Sequence, residues 1–236
     1  SSKDFTDTIL QNYPKIKSFN LIAAGHGYSL SPDIMPIQVD KKYLKTPIMP
    51  FEMAEKAQIP VWVTEISDVT PLDISIQDGL KWAVTFHNYL TKANVSAIVW
   101  WGGAMPTANN ESLIILDKNR KDFLLSKRYD ILGNFSRYIP EKSTRIQVTQ
   151  SNGVPLLISA YKKDNKYTLV TINPSGQTIQ TSLRLDGADI NGSLKQYITT
   201  EDSRWTETTI IQENKKNYNL TIPPFSVVTF VGKVRL

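Results

Sequence analysis

The stretch Ile59-Pro60-Val61-Trp62-Val63-Thr64-Glu65-Ile66-Ser67-Asp68 limits the possible folds more than any other part of the chain. Its β-branched and aromatic run has the unbroken apolar pattern of a strand covered on both faces, as strands are in a parallel sheet. The run ends in a carboxylate. An ionisable Glu at the end of a buried strand is costly unless it is hydrogen-bonded, charge-paired or open to a cleft. In parallel α/β folds such a cleft lies at the carboxyl ends of the strands. Glu65 is therefore the first candidate for chemistry, although a Glu at a strand end is also compatible with a side chain emerging into solvent.

The flanking sequence repeats the same alternation. Phe5, Ile9, Leu10 and Tyr13 are spaced as on a short helix that Pro14 closes, and Phe19 to Ala24 is a strand-like run emptying into Gly25-His26-Gly27-Tyr28. Pro50 opens a helix from Phe51 to Gln58. After Glu65, a helical pattern runs from Pro71 through Ala93, and Val95 to Trp101 forms a third apolar run ending at Gly102-Gly103. Phe123 to Ile139 reads as a last helix, with the Asp117 to Asp122 charge run as a solvated loop before it. Helices alternating with strands predict βα units.

From Arg145 onward the period changes. Eight short alternating segments follow: 145–149, 156–162, 167–173, 179–185, 194–199, 206–211, 218–222 and 225–231. Turns such as Asp164-Asn165 and Pro174-Ser175-Gly176 separate them, which predicts an antiparallel β-sandwich. The expected domains are 1–139 and 140–236.

Composition removes several classes of function. With no cysteine there is no disulfide, thiolate ligand or cysteine nucleophile. The net charge of +5 comes from Lys and Arg scattered among 22 acidic residues, without a base-reading or phosphate-cradling motif, so no nucleic-acid partner is expected. Two histidines and no clustered carboxylates predict no metal site. No apolar run approaches the roughly 18 residues of a membrane span, and Ser1-Ser2-Lys3-Asp4 lacks a signal peptide's hydrophobic region, so a soluble mature chain is expected. Asn-X-Ser/Thr sequons occur at Asn94, Asn110, Asn134, Asn191 and Asn219.

Four motifs in order carry a resemblance: His26-Gly27-Tyr28, then Val63-Thr64-Glu65-Ile66-Ser67, then Val99-Trp100-Trp101, then Leu125 to Tyr129 with Gly133 to Ile139. Together they resemble the C-terminal half of a glycoside hydrolase of family 30, a group that joins a TIM barrel to a side β-sandwich. The resemblance implies an α/β plus all-β chain: the last three βα units of a (β/α)8 barrel followed by the sandwich. It implies that Glu65 is the nucleophile of a retaining glycosidase, with His26 and Tyr28 close to it and Trp101, next to Trp100, offering a ring on which a sugar stacks. Adjacent strand residues face opposite ways, so at most one of Trp100 and Trp101 faces the cleft. Trp101, nearer the strand's carboxyl end, is expected there and Trp100 against helices; Trp62 and Trp82 are expected in the core, and His87 in plain packing or solvated on its helix. The glycosidase reading calls for no cofactor.

The family's acid/base Glu sits in an Asn-Glu-Pro motif, which does not occur here. A full barrel needs roughly 250 residues and eight strands. An upstream segment or a second chain is therefore expected to complete it. The loop Gly102 to Ser112 lacks the Arg that holds a glucuronate branch in the glucuronoxylan-specific members, so the expected substrate is a polysaccharide, xylan without glucuronate dependence, with β-1,6-glucan or galactan as the alternative. The resemblance also implies secretion. The competing readings are a non-catalytic carbohydrate-binding or structural module derived from such an enzyme, and an independent adhesion-type sandwich behind a docking domain.

Overall fold

The computed structural model describes residues 2–28, 48–119, 121–186, 193–211 and 217–234. Within them the chain packs as two compact units. The first holds residues 2–28, 48–73 and 84–125, apart from 120; the second holds 74–83 and the described residues from 126 onward.

The first unit is built on a three-stranded parallel sheet. Helix α1 (Ser2–Asn12) and a 3-10 turn (Pro14–Ser18) lead into β1 (Ala23–His26). Helix α2 (Glu52–Lys56) precedes β2 (Val61–Ile66), and α3 (Ile76–Thr91) precedes β3 (Ala97–Trp100). The strand order is β1-β2-β3, all parallel, as successive βα units require. Val61, Val63 and Ile66 are buried on one face of this sheet, and Trp100 meets Phe86 of α3 edge-on at 6.3 Å. The opposite face is open: Trp62 is 38% exposed and Val99 49%. Trp62 is thus not the core residue expected of it, because Val61 and Val63 take the covered face and send it to the other. Trp82, at 1% exposure, is core, and His87 is buried within α3.

After β3 the chain makes a small three-stranded sheet of β4 (Ala104–Met105), β5 (Ile114–Asp117) and β6 (Asp122–Leu125). The two ends of the charge run are therefore strand: Asp117 closes β5 and Asp122 opens β6, and the two pair antiparallel. Phe123 to Leu125 is strand, and the last helix, α4 (Lys127–Ser136), begins at Ser126, whose hydroxyl accepts the Tyr129 N–H. The expected helix start at Phe123 is corrected by that cap.

The second unit contains the eight expected strands: β7 (Thr144–Ile146), β8 (Leu157–Lys163), β9 (Lys166–Asn173), β10 (Ile179–Arg184), β11 (Ser193–Thr199), β12 (Thr206–Ile211), β13 (Asn217–Ile222) and β14 (Ser226–Lys233). Six form one antiparallel sheet in the order β12-β11-β14-β9-β8-β7, and β10 pairs with β13. Leu194, Val228 and Phe230 of the large sheet pack with Tyr218, Leu220 and Ile222 of the small one, which is the inter-sheet core of a sandwich. Helix α4 is tied to the large sheet through Asn134: its side-chain amide donates to Thr229 Oγ1 and its backbone carbonyl accepts from the same hydroxyl. In the same unit the first backbone N–H of α3, at Ile76, donates to Glu201 Oε2 at 2.7 Å.

Tyr89 of α3 gives a pH signature. Burial pushes its phenol up to about 12 from an ordinary 10.0. An acid group whose folded-state pKa is raised contributes stability that is intact below the unfolded value and lost as pH climbs toward the folded one. Thermal unfolding should therefore show a loss of stability between about pH 10 and 12 that Tyr89→Phe makes shallower. An unchanged slope in that variant would rule Tyr89 out as its source.

Candidate functional site

Glu65 is aimed by an irregularity in its strand. In β2 against β1, Gly25 pairs with Val63 but His26 pairs with Glu65; against β3, Val63 pairs with Ile98 and Ile66 with Trp100. Both registers hold one extra residue in β2, Thr64. Such a bulge, rare in parallel sheets, resets which side chains face which way. Without it Glu65 would follow Val63 onto the covered face. With it, Glu65 is only half-buried beside His26, while Ile66 returns to the core. Thr64 Oγ1 donates to the Gly25 carbonyl at 3.3 Å, pinning the extra residue to the neighbouring strand.

His26 Nε2 lies 3.5 Å from Glu65 Oε2, and the His26 and Tyr28 rings meet edge-on at 5.6 Å. The residue between them explains this closeness. The Gly27 N–H donates to the Glu65 carbonyl at 2.8 Å, and a Cβ on Gly27 would sit 2.6 Å from Val63 Cγ1 and 2.8 Å from Tyr89 Oη. Only a glycine lets the His26–Tyr28 segment lie this close to β2. Gly27→Ala is therefore expected to cost about 1–3 kcal/mol in folding stability and to shift His26 and Tyr28 off Glu65. Tyr89→Phe in the same chain should recover part of that loss in a denaturant titration, because it removes one of the two clashing atoms.

Trp101 follows β3, and its backbone N–H donates to the carbonyl of Ile66, the residue after Glu65. Its ring is 49% exposed, whereas Trp100 is buried. The segment that returns past these two rings carries Glu111. The Glu111 backbone carbonyl accepts the Trp100 indole N–H at 2.9 Å, and Glu111 Oε1 accepts that of Trp101 at 3.1 Å. The backbone of this segment is anchored by the neighbouring Asn110, which is 1% exposed. Asn110 donates from its side chain to Thr70 Oγ1, donates from its backbone to the Thr70 carbonyl, and accepts the Asp73 N–H. Its sequon is therefore sealed inside the fold. Glu111 was not singled out from sequence. Only its position within the loop after the third apolar run pointed to it, and nothing local says that it returns to both tryptophans.

Glu65, His26, Tyr28, Trp101 and Glu111 all belong to the first unit, at the carboxyl ends of its parallel strands, where barrel sites lie. A half-exposed carboxylate, a histidine at 3.5 Å and a free indole face form a constellation suited to handling a sugar ring. Among the described residues no group of three His, Cys, Asp or Glu is placed to hold a metal, and no helix is long and apolar enough to cross a membrane.

No protein-family model matches the chain. In sequence it is 26% identical over 180 residues to glucuronoxylanase XynC of Bacillus subtilis (strain 168), a match covering 72% of this chain and 39% of that protein. The chain thus spans 39% of the length of the curated relatives it matches. In structure it superposes on the glycoside hydrolase family 30 subfamily 8 xylanase of Clostridium acetobutylicum with a TM-score of 0.71, at 20% identity, over 99% of this chain and 61% of that one. On the catalytic domain of the family 30 xylanase C of Talaromyces cellulolyticus the TM-score is 0.73, at 21% identity, over 96% and 48%. Parallel βα units followed by an antiparallel sandwich, matched to part of each of these longer proteins, give this chain the fold of the C-terminal part of a glycoside hydrolase family 30 enzyme.

Proposed function

We propose that this chain is the C-terminal part of a secreted, retaining glycoside hydrolase that cleaves xylan without requiring a glucuronate branch. Glu65 is the nucleophile; His26 and Tyr28 flank it, and Trp101, backed by Trp100, carries a sugar ring. Residues 1–139 are the last part of the catalytic barrel and 140–236 its side domain.

The observation that carries this reading is the bulge at Thr64, which turns a strand carboxylate onto the open sheet face beside His26. The resemblance to xylanases in sequence and fold supplies the reaction class. In the reaction, Glu65 attacks the anomeric carbon and forms a glycosyl-enzyme ester while a second carboxyl, about 5–5.5 Å away, protonates the leaving oxygen. Water then reverses the step with that second group as base. The second carboxyl is contributed by the rest of the barrel, from an N-terminal segment or a second chain. The exposed Trp62 and Val99 on the open sheet face support such completion, since a barrel fills its interior with side chains.

The test uses the completed enzyme and a 2-deoxy-2-fluoro xylobiosyl fluoride, which slows breakdown of the ester. Peptide mass mapping should place one label on a peptide containing Glu65. Label on a different carboxylate overturns the assignment. A folded protein that takes no label and binds xylan points to the non-catalytic module, and labelling only by a glucosyl or galactosyl reagent points to β-1,6-glucan or galactan.

A further inference from the structure

We infer that Glu111 is a positioning and specificity residue: it clamps the Trp101 ring and sets a negative charge beside it that disfavours uronate-bearing xylan. The inference rests on the xylan reading above and extends it to substrate choice.

Two observations carry it. Glu111 engages both tryptophans after β3, Trp100 through its carbonyl and Trp101 through its carboxylate, so the rotamer of the exposed ring is tied to this one residue. Its backbone is also fixed independently of any substrate. The Glu111 N–H donates to Asn109 Oδ1 at 3.0 Å, and buried Asn110 is knotted to Thr70 and Asp73. The backbone that carries the charge is therefore anchored, and the carboxylate itself sits at the Trp101 indole N–H.

A neutral xylose unit stacked on Trp101 meets an additional hydrogen-bond acceptor. A unit carrying 4-O-methylglucuronate brings a second carboxylate toward the first. Like charges a few ångströms apart at a surface repel modestly, and salt screens the repulsion. In this chain the clamp thus adds a charge that selects against the acidic branch, beyond the mere lack of an Arg in the loop Gly102 to Ser112 to hold it.

The experiment uses the complete protein carrying Glu65→Gln, so that ligands bind without turnover, and titrates linear xylohexaose and the same oligosaccharide bearing one 4-O-methylglucuronate. With Glu111 present, the neutral ligand should bind more tightly, by about threefold to tenfold at low salt, and 0.5 M salt should shrink the gap. Glu111→Gln keeps an acceptor for the Trp101 N–H and removes the charge; the gap and its salt dependence should both collapse. A gap that Glu111→Gln leaves unchanged overturns the charge filter. The clamp has its own readout: the Trp101 indole N–H resonance should move in Glu111→Ala and much less in Glu111→Gln, and a resonance indifferent to Glu111→Ala overturns the positioning role. Binding of neither oligosaccharide overturns the xylan reading itself, and with it the filter.

Discussion

Glu65→Gln in the completed enzyme should lower kcat/KM on an aryl xylobioside by on the order of 10⁴-fold or more, with no loss of thermal stability. The amide has nearly the shape of the carboxylate but cannot form the glycosyl ester, and removing a nucleophile forfeits the covalent route altogether. Stability is spared because Glu65 is only half-buried and its carboxylate sits at a strand end rather than in the core. Glu65→Gly sharpens the result. Azide ion, entering the space left by the side chain, should restore turnover and give a glycosyl azide inverted at the anomeric carbon, because it attacks from the face the carboxylate used. An azide product of retained configuration would assign Glu65 to proton transfer instead. Near-wild-type activity of Glu65→Gln would remove it from the chemistry.

The second large effect lies in the second unit. Asp78 on α3 and Arg128 on α4 are both fully buried and lie 2.5 Å apart, with Lys81 Nζ 2.9 Å from the other Asp78 oxygen. Buried Asp130 lies beside them on α4, paired with Lys127 at 3.2 Å and with Arg204 from the segment between β11 and β12. Burial pushes the Asp78 carboxyl above its ordinary range, against the pull of Arg128 and Lys81. Desolvation thus outweighs attraction, and the pair adds little net stability, whereas an orphaned Arg128 would be costly. Asp78→Ala is expected to destabilise by about 3–5 kcal/mol, read from urea unfolding. The double variant Asp78→Leu/Arg128→Met should recover most of that loss. A double variant as unstable as Asp78→Ala would show that the ion pair itself is a source of stability, and single effects that simply add would show that the two residues are not coupled.

How much of this was legible in the sequence depends on whether the signal was local. The eight sandwich strands stand within a few residues of their expected places because short β-prone segments are marked off by local turn signals, and in some, such as Asn217–Ile222, exposed and buried residues strictly alternate. The three parallel strands followed from apolar runs; strand parity set Trp100 and Trp101 on opposite sides, and the nearness of Trp101 to the strand's carboxyl end left Trp100 as the buried one. Trp62 was misread because an unbroken apolar run says nothing about which of its faces is covered. Phe123 to Leu125 was joined to α4 because its apolar spacing continues the helical one, and Ser126 as N-cap was the overlooked sign. The bulge at Thr64, the Asp78–Arg128 pair and the return of Glu111 to Trp101 have no local signature: each depends on residues brought together by the fold.

The bulge also changes what can be altered at the site. Whether Thr64 stays out of register decides which way Glu65 points, so as long as that residue is present the site depends on the bulge being kept. Exchanging Thr64 for another small side chain forfeits one 3.3 Å hydrogen bond. Deleting it would restore regular alternation, with Val63 and Ile66 still inward and Glu65 still opposite His26, whereas drawing Thr64 into the register would turn Glu65 to the core and Ile66 outward. Grafting the proposed nucleophile onto another parallel sheet would therefore mean placing it by its register against the neighbouring strand, opposite His26, rather than by counting residues from Val63.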